Sequence, residues 1–188
     1  GLTRLFLRDK CQESPVPAAV LAALRARFWA GVDVQGMPNQ GMESLAYTRH
    51  LRQVVDGGVS PAEYTLFLQA EPFKHLDREL LEGLLQALSA RTLSNTNVRF
   101  LHLNNMRFTT VQSFCLMDVY KRLIPEPPDP HTLFGAYCCS QFLVHRERIS
   151  KVPVATVRTV QGILGDPTEP RPRDLACVQD NSHDARPG

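Results

Sequence analysis

Apolar positions along this chain switch repeatedly between an alternating period and a helical one. Residues 2–7 (LTRLFL) read as a strand. Ser14, Pro15 and Pro17 punctuate the next stretch, and Pro17 can open a helix. Over residues 18–29, Val20, Leu21, Leu24 and Phe28 recur at helical spacing. Gly36, Pro38, Asn39 and Gly41 predict a loop over 31–41. A second helix is expected over 42–55, marked by Leu45, Leu51, Val54 and Val55 and stopped by Asp56-Gly57-Gly58. The run 64–68 (YTLFL) is β-branched and aromatic enough for a buried strand, and Pro72 requires the ladder to end before it.

The broadest apolar stripe comes next: Leu76, Leu80, Leu81, Leu84, Leu85 and Leu88 predict a helix over 76–90. Residues 98–103 (VRFLHL) alternate as a strand. A helix over 111–124 is halted by Pro125, Pro127, Pro128 and Pro130. Residues 132–144 are strand-rich, and 154–164 read as a last helix. Strands alternate with helix-bearing connections of more than a dozen residues, which predicts an α/β fold with a mostly parallel sheet flanked by helices. The expected organisation is a single α/β domain over 1–164. From Gly165 the composition turns to Pro, Arg, Asp, Gly and Ser, so 165–188 is expected to be a disordered tail.

Composition narrows the function classes. The chain has 188 residues, 43% hydrophobic and 21% charged, enough for one domain with its own core. A net charge of +2 with scattered basic residues does not suit a nucleic-acid partner. No apolar run reaches about 18 residues, so no transmembrane segment is expected. No targeting signal is read in the chain, which leaves its localisation unknown and suits a soluble domain. The first residue is Gly1, which suits a start inside a longer product. Five cysteines, with no Cys-x-x-Cys pair, argue against a zinc ribbon or a disulfide scaffold. Cys138 and Cys139, in an apolar run, read as buried small side chains.

Three segments carry candidate chemistry. After the 64–68 strand come Gln69, Glu71 and His75. Ligands in open α/β sheets bind beyond the carboxyl ends of strands. There Glu71 and His75 would act as acid and base or bind a divalent ion, and Gln69 would orient a ligand hydroxyl. The alternative is a solvated loop, with Asp77 serving the next helix start. Second, Asn39 and Glu43 flank the start of the 42–55 helix, whose free N–H groups suit an anion. A plain capping turn explains them equally. Third, a strand runs from Gln141 into His145, Arg146 and Arg148, whose guanidinium forks suit phosphate or carboxylate. The alternative is a solvated corner with an internal pair at Glu147. His50, His102, His131 and His183 read as structural or exposed. The motifs GxSxG, GxxxxGK[ST], HExxH, GxGxxG and Asp-x-Asp are absent.

Residues 38–51 (PNQGMESLAYTRHL), 67–75 (FLQAEPFKH) and 134–149 (FGAYCCSQFLVHRERI) together resemble a domain family of unknown function. Its pattern reads Asn-x-Gly-x-Glu, then Phe-Leu-Gln-x-x-Pro-Phe-x-His, then Gln-Phe-x-Val-x-Arg-x-Arg-Ile. The likeness covers most of 1–164. This chain departs from it in Met42 for Arg, Ala70 for Gly, Lys74 for Asp and His145 for Ser. The family also begins one strand earlier, so the resemblance implies a truncated amino end, and it ends in an acidic-aromatic helix not read here.

The family's layout is remotely similar to GT-A glycosyltransferases. That resemblance implies a nucleotide-diphospho-sugar transferase-like fold, a nucleotide-sugar donor, a glycan acceptor and a divalent metal such as Mn²⁺ or Mg²⁺. Under it, Glu71 and His75 would be catalytic or hold the metal. Asn39, Glu43, Gln69, Gln141, Arg146 and Arg148 would bind substrate. Two other readings stay open: a non-catalytic carbohydrate- or protein-binding module on the same scaffold, and a metal-dependent hydrolase using Glu71 and His75.

Overall fold

The structure is a computed structural model that describes residues 5–9, 17–27, 31–36, 42–60, 62–69, 72–105, 107–110, 114–124, 126, 134–137 and 140–172. Strand β1 (Leu5–Asp9) leads through helix α1 (Ala18–Arg27) to strand β2 (Val32–Gly36). The two strands pair in parallel, Phe6 opposite Asp33, as a helical crossover permits. Strand β2 lies inside the stretch expected as loop. Its own residues alternate (Val32-Asp33-Val34-Gln35), and the flanking glycines and Pro38 obscured that signal.

Helix α2 (Met42–Val55) is next, then strand β3 (Tyr64–Phe67). After a 3₁₀ turn (Pro72–Lys74) comes helix α3 (Arg78–Ser89). Asp77 caps α3: its carboxylate accepts the Leu80 N–H at 3.1 Å. Beyond α3 lie a 3₁₀ turn (Thr92–Asn95), strands β4 (Phe100–His102) and β5 (Arg107–Thr110), and helix α4 (Phe114–Leu123). Strands β6 (Phe134–Tyr137) and β7 (Phe142–His145), a single turn α5 (Arg146–Ile149) and helix α6 (Val154–Ile163) complete the order.

The expected mostly parallel sheet is corrected. The chain is mixed α/β, and among the described residues β1–β2 is the one parallel pairing. β7 lies between β3 and β4 and runs antiparallel to both, and β5 pairs antiparallel with β6. The physical reason is visible in the directions. β3 and β4 still run the same way, as a strand–helix–strand unit requires, but β7 enters between them from the opposite end. Their carboxyl ends therefore meet the amino end of β7.

This ladder separates two cores. Leu66, Leu68 and Leu143 face Leu76, Leu81 and Leu84 on the α3 side. Phe67, Phe142 and Val144 face Tyr47, Leu51 and Val54 on the α2 side. Register explains the split, since Leu66 opposes Leu143 and Phe67 opposes Phe142. Helices thus cover both faces of β3 and β7.

Residues 165–172, placed in the tail by composition, are folded against α2. The Asp166 carboxylate accepts from Arg49 Nε at 2.8 Å and Arg49 Nη2 at 3.1 Å. Glu169 pairs with Arg52 at 2.9 Å. A Cβ at Gly162 would stand 2.4 Å from the Pro170 carbonyl oxygen, so α6 and this segment touch backbone to backbone. Residues 173–188, and with them the rest of the expected tail, lie outside the described residues, as do Cys138 and Cys139.

Candidate functional site at the carboxyl ends of two strands

The chain turns away from β3 after Gln69 and from β4 after Leu103, and it enters β7 from Gln141. These three points converge on one side chain. Gln141 is fully buried. Its Oε1 accepts the Gln69 backbone N–H at 3.4 Å. Its Nε2 donates to the Pro72 carbonyl at 3.1 Å and to Asn104 Oδ1 at 3.0 Å. The amide has two N–H donors, and both are used. Gln141, expected to bind substrate, therefore holds the platform together and has no donor left for a ligand.

The surrounding backbone is pinned in the same manner. His75 donates its N–H to the Pro72 carbonyl at 3.3 Å, and its carbonyl accepts the Asn105 N–H at 3.1 Å. Leu103 donates to the Gln141 carbonyl at 3.0 Å. Asn104 is buried, and its N–H donates to His102 Nδ1 at 3.3 Å. Burial lowers the His102 pKa.

His75 stands in this platform. Its Nδ1 is buried and makes no hydrogen bond among the described residues. Gln69 also lies here, half-buried. Glu71 and Asn39 lie outside the described residues, and of Glu43 only the backbone, in the first turn of α2, is described. Tyr47, one turn further along α2, packs its ring 5.0 Å from Phe67 and 5.9 Å from Phe142. The amino end of α2 is thus directed toward the same end of the ladder.

Arg146 and Arg148 stand at the other end of the ladder and are not brought together with His75 and Gln69. The Arg146 N–H donates to the Glu63 carbonyl at 2.9 Å, ahead of β3. His145 likewise donates to the Arg99 carbonyl at 3.0 Å, ahead of β4. Because β7 is antiparallel, its carboxyl end lies at the amino ends of β3 and β4. The length of a four-residue strand, roughly 13 Å, separates the arginines from the platform. Both are exposed there.

Of the residues expected to hold Mn²⁺ or Mg²⁺, His75 is described and Glu71, which would supply the oxygen ligand such hard cations take, lies outside the described residues. Among the described residues no cluster of three or more His, Cys, Asp or Glu occurs. No described helix is long and apolar enough to cross a membrane.

A cavity of about 420 Å³ lies at the other end of α2, lined by Phe6, Gly31, Asp33, Gln53 and Val59 among others. Among the described residues its lining carries a carboxylate and amides and no basic side chain.

Sequence reasoning missed Asn104 and His102. The signal was present: VRFLHLNN is a strand ending in polar residues, as YTLFLQAE is. Comparison with known proteins finds no matching family model, no matching curated protein and no matching solved structure.

Proposed function

We propose that this protein is a glycosyltransferase-like α/β protein that holds a nucleotide sugar over the carboxyl ends of β3 and β4. The observation that carries the reading is the buried Gln141 amide, which locks Gln69, Pro72 and Asn104 into one rigid edge beside His75. A rigid polar edge at strand ends is where α/β folds bind ligands. Gln69 would orient sugar hydroxyls, and the amino end of α2, with Asn39 and Glu43, would face the donor. In the reaction the acceptor hydroxyl oxygen bonds to the anomeric carbon as the bond to the diphosphate breaks. The hydroxyl proton passes to His75, and Glu71, just ahead of the 3₁₀ turn in sequence, is the second acid–base group. A divalent ion such as Mn²⁺ would be held by the Glu71 carboxylate and would offset charge on the departing diphosphate. Calorimetric titration with nucleotide sugars, with and without Mn²⁺, tests the reading; a folded protein that gives no heat with any donor counts against it.

One observation favours a second reading, a non-catalytic carbohydrate- or protein-binding module. Gln141 is consumed by the fold, and Arg146 and Arg148 stand away from the platform, so fewer groups remain for chemistry. Binding on a glycan array without metal or nucleotide supports this module over the enzyme.

A further inference from the structure

Phe73 sits in the middle of the 3₁₀ turn at the platform, and 46% of its surface is exposed. The backbone on either side is fixed: the Pro72 carbonyl accepts from Gln141 Nε2 and from the His75 N–H, and the His75 carbonyl accepts from Asn105. The turn cannot rotate to tuck the ring under without breaking a bond to a buried amide. Phe73 is therefore held outward by the same network that builds the site.

The Arg78 guanidinium carbon lies 4.2 Å from the Phe73 ring centroid. Arg78 is the first residue of α3, where the helix dipole disfavours a cation. Its ion pair with Glu82, at 3.8 Å between side chains 67% and 59% exposed, offsets little of that. What the position gains is the aromatic face. The pair presents a half-exposed aromatic ring, one face of it taken by Arg78, and an accessible guanidinium together, next to His75, at the end of the ladder that Arg146 and Arg148 do not reach.

We propose that Phe73 and Arg78 form a stacking plate for a phosphorylated, ring-bearing ligand. The base or sugar ring lies on Phe73, and the neighbouring phosphate pairs with Arg78. The plate deepens the nucleotide-sugar reading and rests on it. It assigns the phosphate contact to Arg78 in place of Arg146 and Arg148.

The test is calorimetry of the wild-type chain, Phe73→Ala and Arg78→Gln with UDP-glucose, GDP-mannose and, as a neutral probe, methyl α-glucoside, with Mn²⁺ present. Both side chains are exposed, so both variants should melt with the wild type. The plate predicts that each variant weakens nucleotide-sugar binding about tenfold or more. Added salt should narrow the Arg78→Gln difference, because the contact is ionic. Methyl α-glucoside binding should not respond to Arg78→Gln. Wild-type binding that both variants match within about twofold overturns the plate and leaves the nucleotide-sugar reading standing. A wild type that binds neither nucleotide sugar overturns that reading and the plate with it.

Discussion

The Gln141 side chain donates to Asn104 Oδ1 at 3.0 Å, and both residues are buried where β7 begins and β4 ends. This bond, with the two that the same amide makes to Gln69 and Pro72, joins three loops that backbone hydrogen bonds also tie together. Replacing Gln141 by Leu keeps roughly the same volume but removes the buried amide's hydrogen bonds to Asn104 Oδ1, the Pro72 carbonyl and the Gln69 N–H. The expected cost is about 3 kcal/mol, measured by urea unfolding. Gln141→Glu should do no better, since it removes both donors and buries a carboxylate beside two acceptor oxygens.

The Arg49–Asp166 pair makes stability depend on pH in the acid range. The Arg49 guanidinium, with help from Thr168, lowers the Asp166 carboxyl from 3.8 to about 2. A depressed carboxyl stabilises the fold above its unfolded pKa and stops doing so as pH falls through its folded one. The pair therefore contributes about 2 kcal/mol at neutral pH, lost between about pH 4 and pH 2. Asp166→Asn should lose that amount at neutral pH and converge with the wild type near pH 2 in urea titrations.

Gly162 tests whether residues 165–172 belong to the folded unit. Gly162→Ala places a methyl group against the Pro170 carbonyl, where the backbone must shift. A loss of about 1–3 kcal/mol is expected from the overpacking. Combined with Asp166→Asn the two losses should fall short of additivity, because both detach one segment. A double-mutant cycle by thermal or urea unfolding reads this directly.

The arginines after β7 make a contrasting case. Arg146 and Arg148 lie at the amino ends of β3 and β4, away from the platform. Replacing both by Gln should leave the affinity for a nucleotide sugar within about twofold in a calorimetric titration. A larger loss would mean that the ligand lies at the opposite end of the ladder.

Much of the fold was legible in local pattern. The helices at 42–55 and 76–90 and the strand at 64–68 appear within two residues of expectation, because wide apolar stripes and the Gly57-Gly58 and Pro72 stops are local signals. The insertion of β7 between β3 and β4 was not legible, since pairing partners are chosen by contacts far apart in sequence. That insertion is why Gln69 and Gln141 meet while Arg146, five residues beyond Gln141, does not join them. Gln141 itself read as a ligand group because a polar residue ahead of a strand looks the same whether its amide is bonded inside or left open. The Asp166 segment was read as tail because few of its residues are apolar, and its attachment is ionic.

The most direct test of the central claim maps where a nucleotide sugar binds. Backbone amide shifts of the isotope-labelled chain would be followed on addition of UDP-glucose and GDP-mannose with Mn²⁺. The largest changes are predicted at Gln69, at 73–75 and at 103–105. Changes confined to the cavity residues near Asp33 and Val59, or to 146–148, would contradict the claim, as would no change with either ligand.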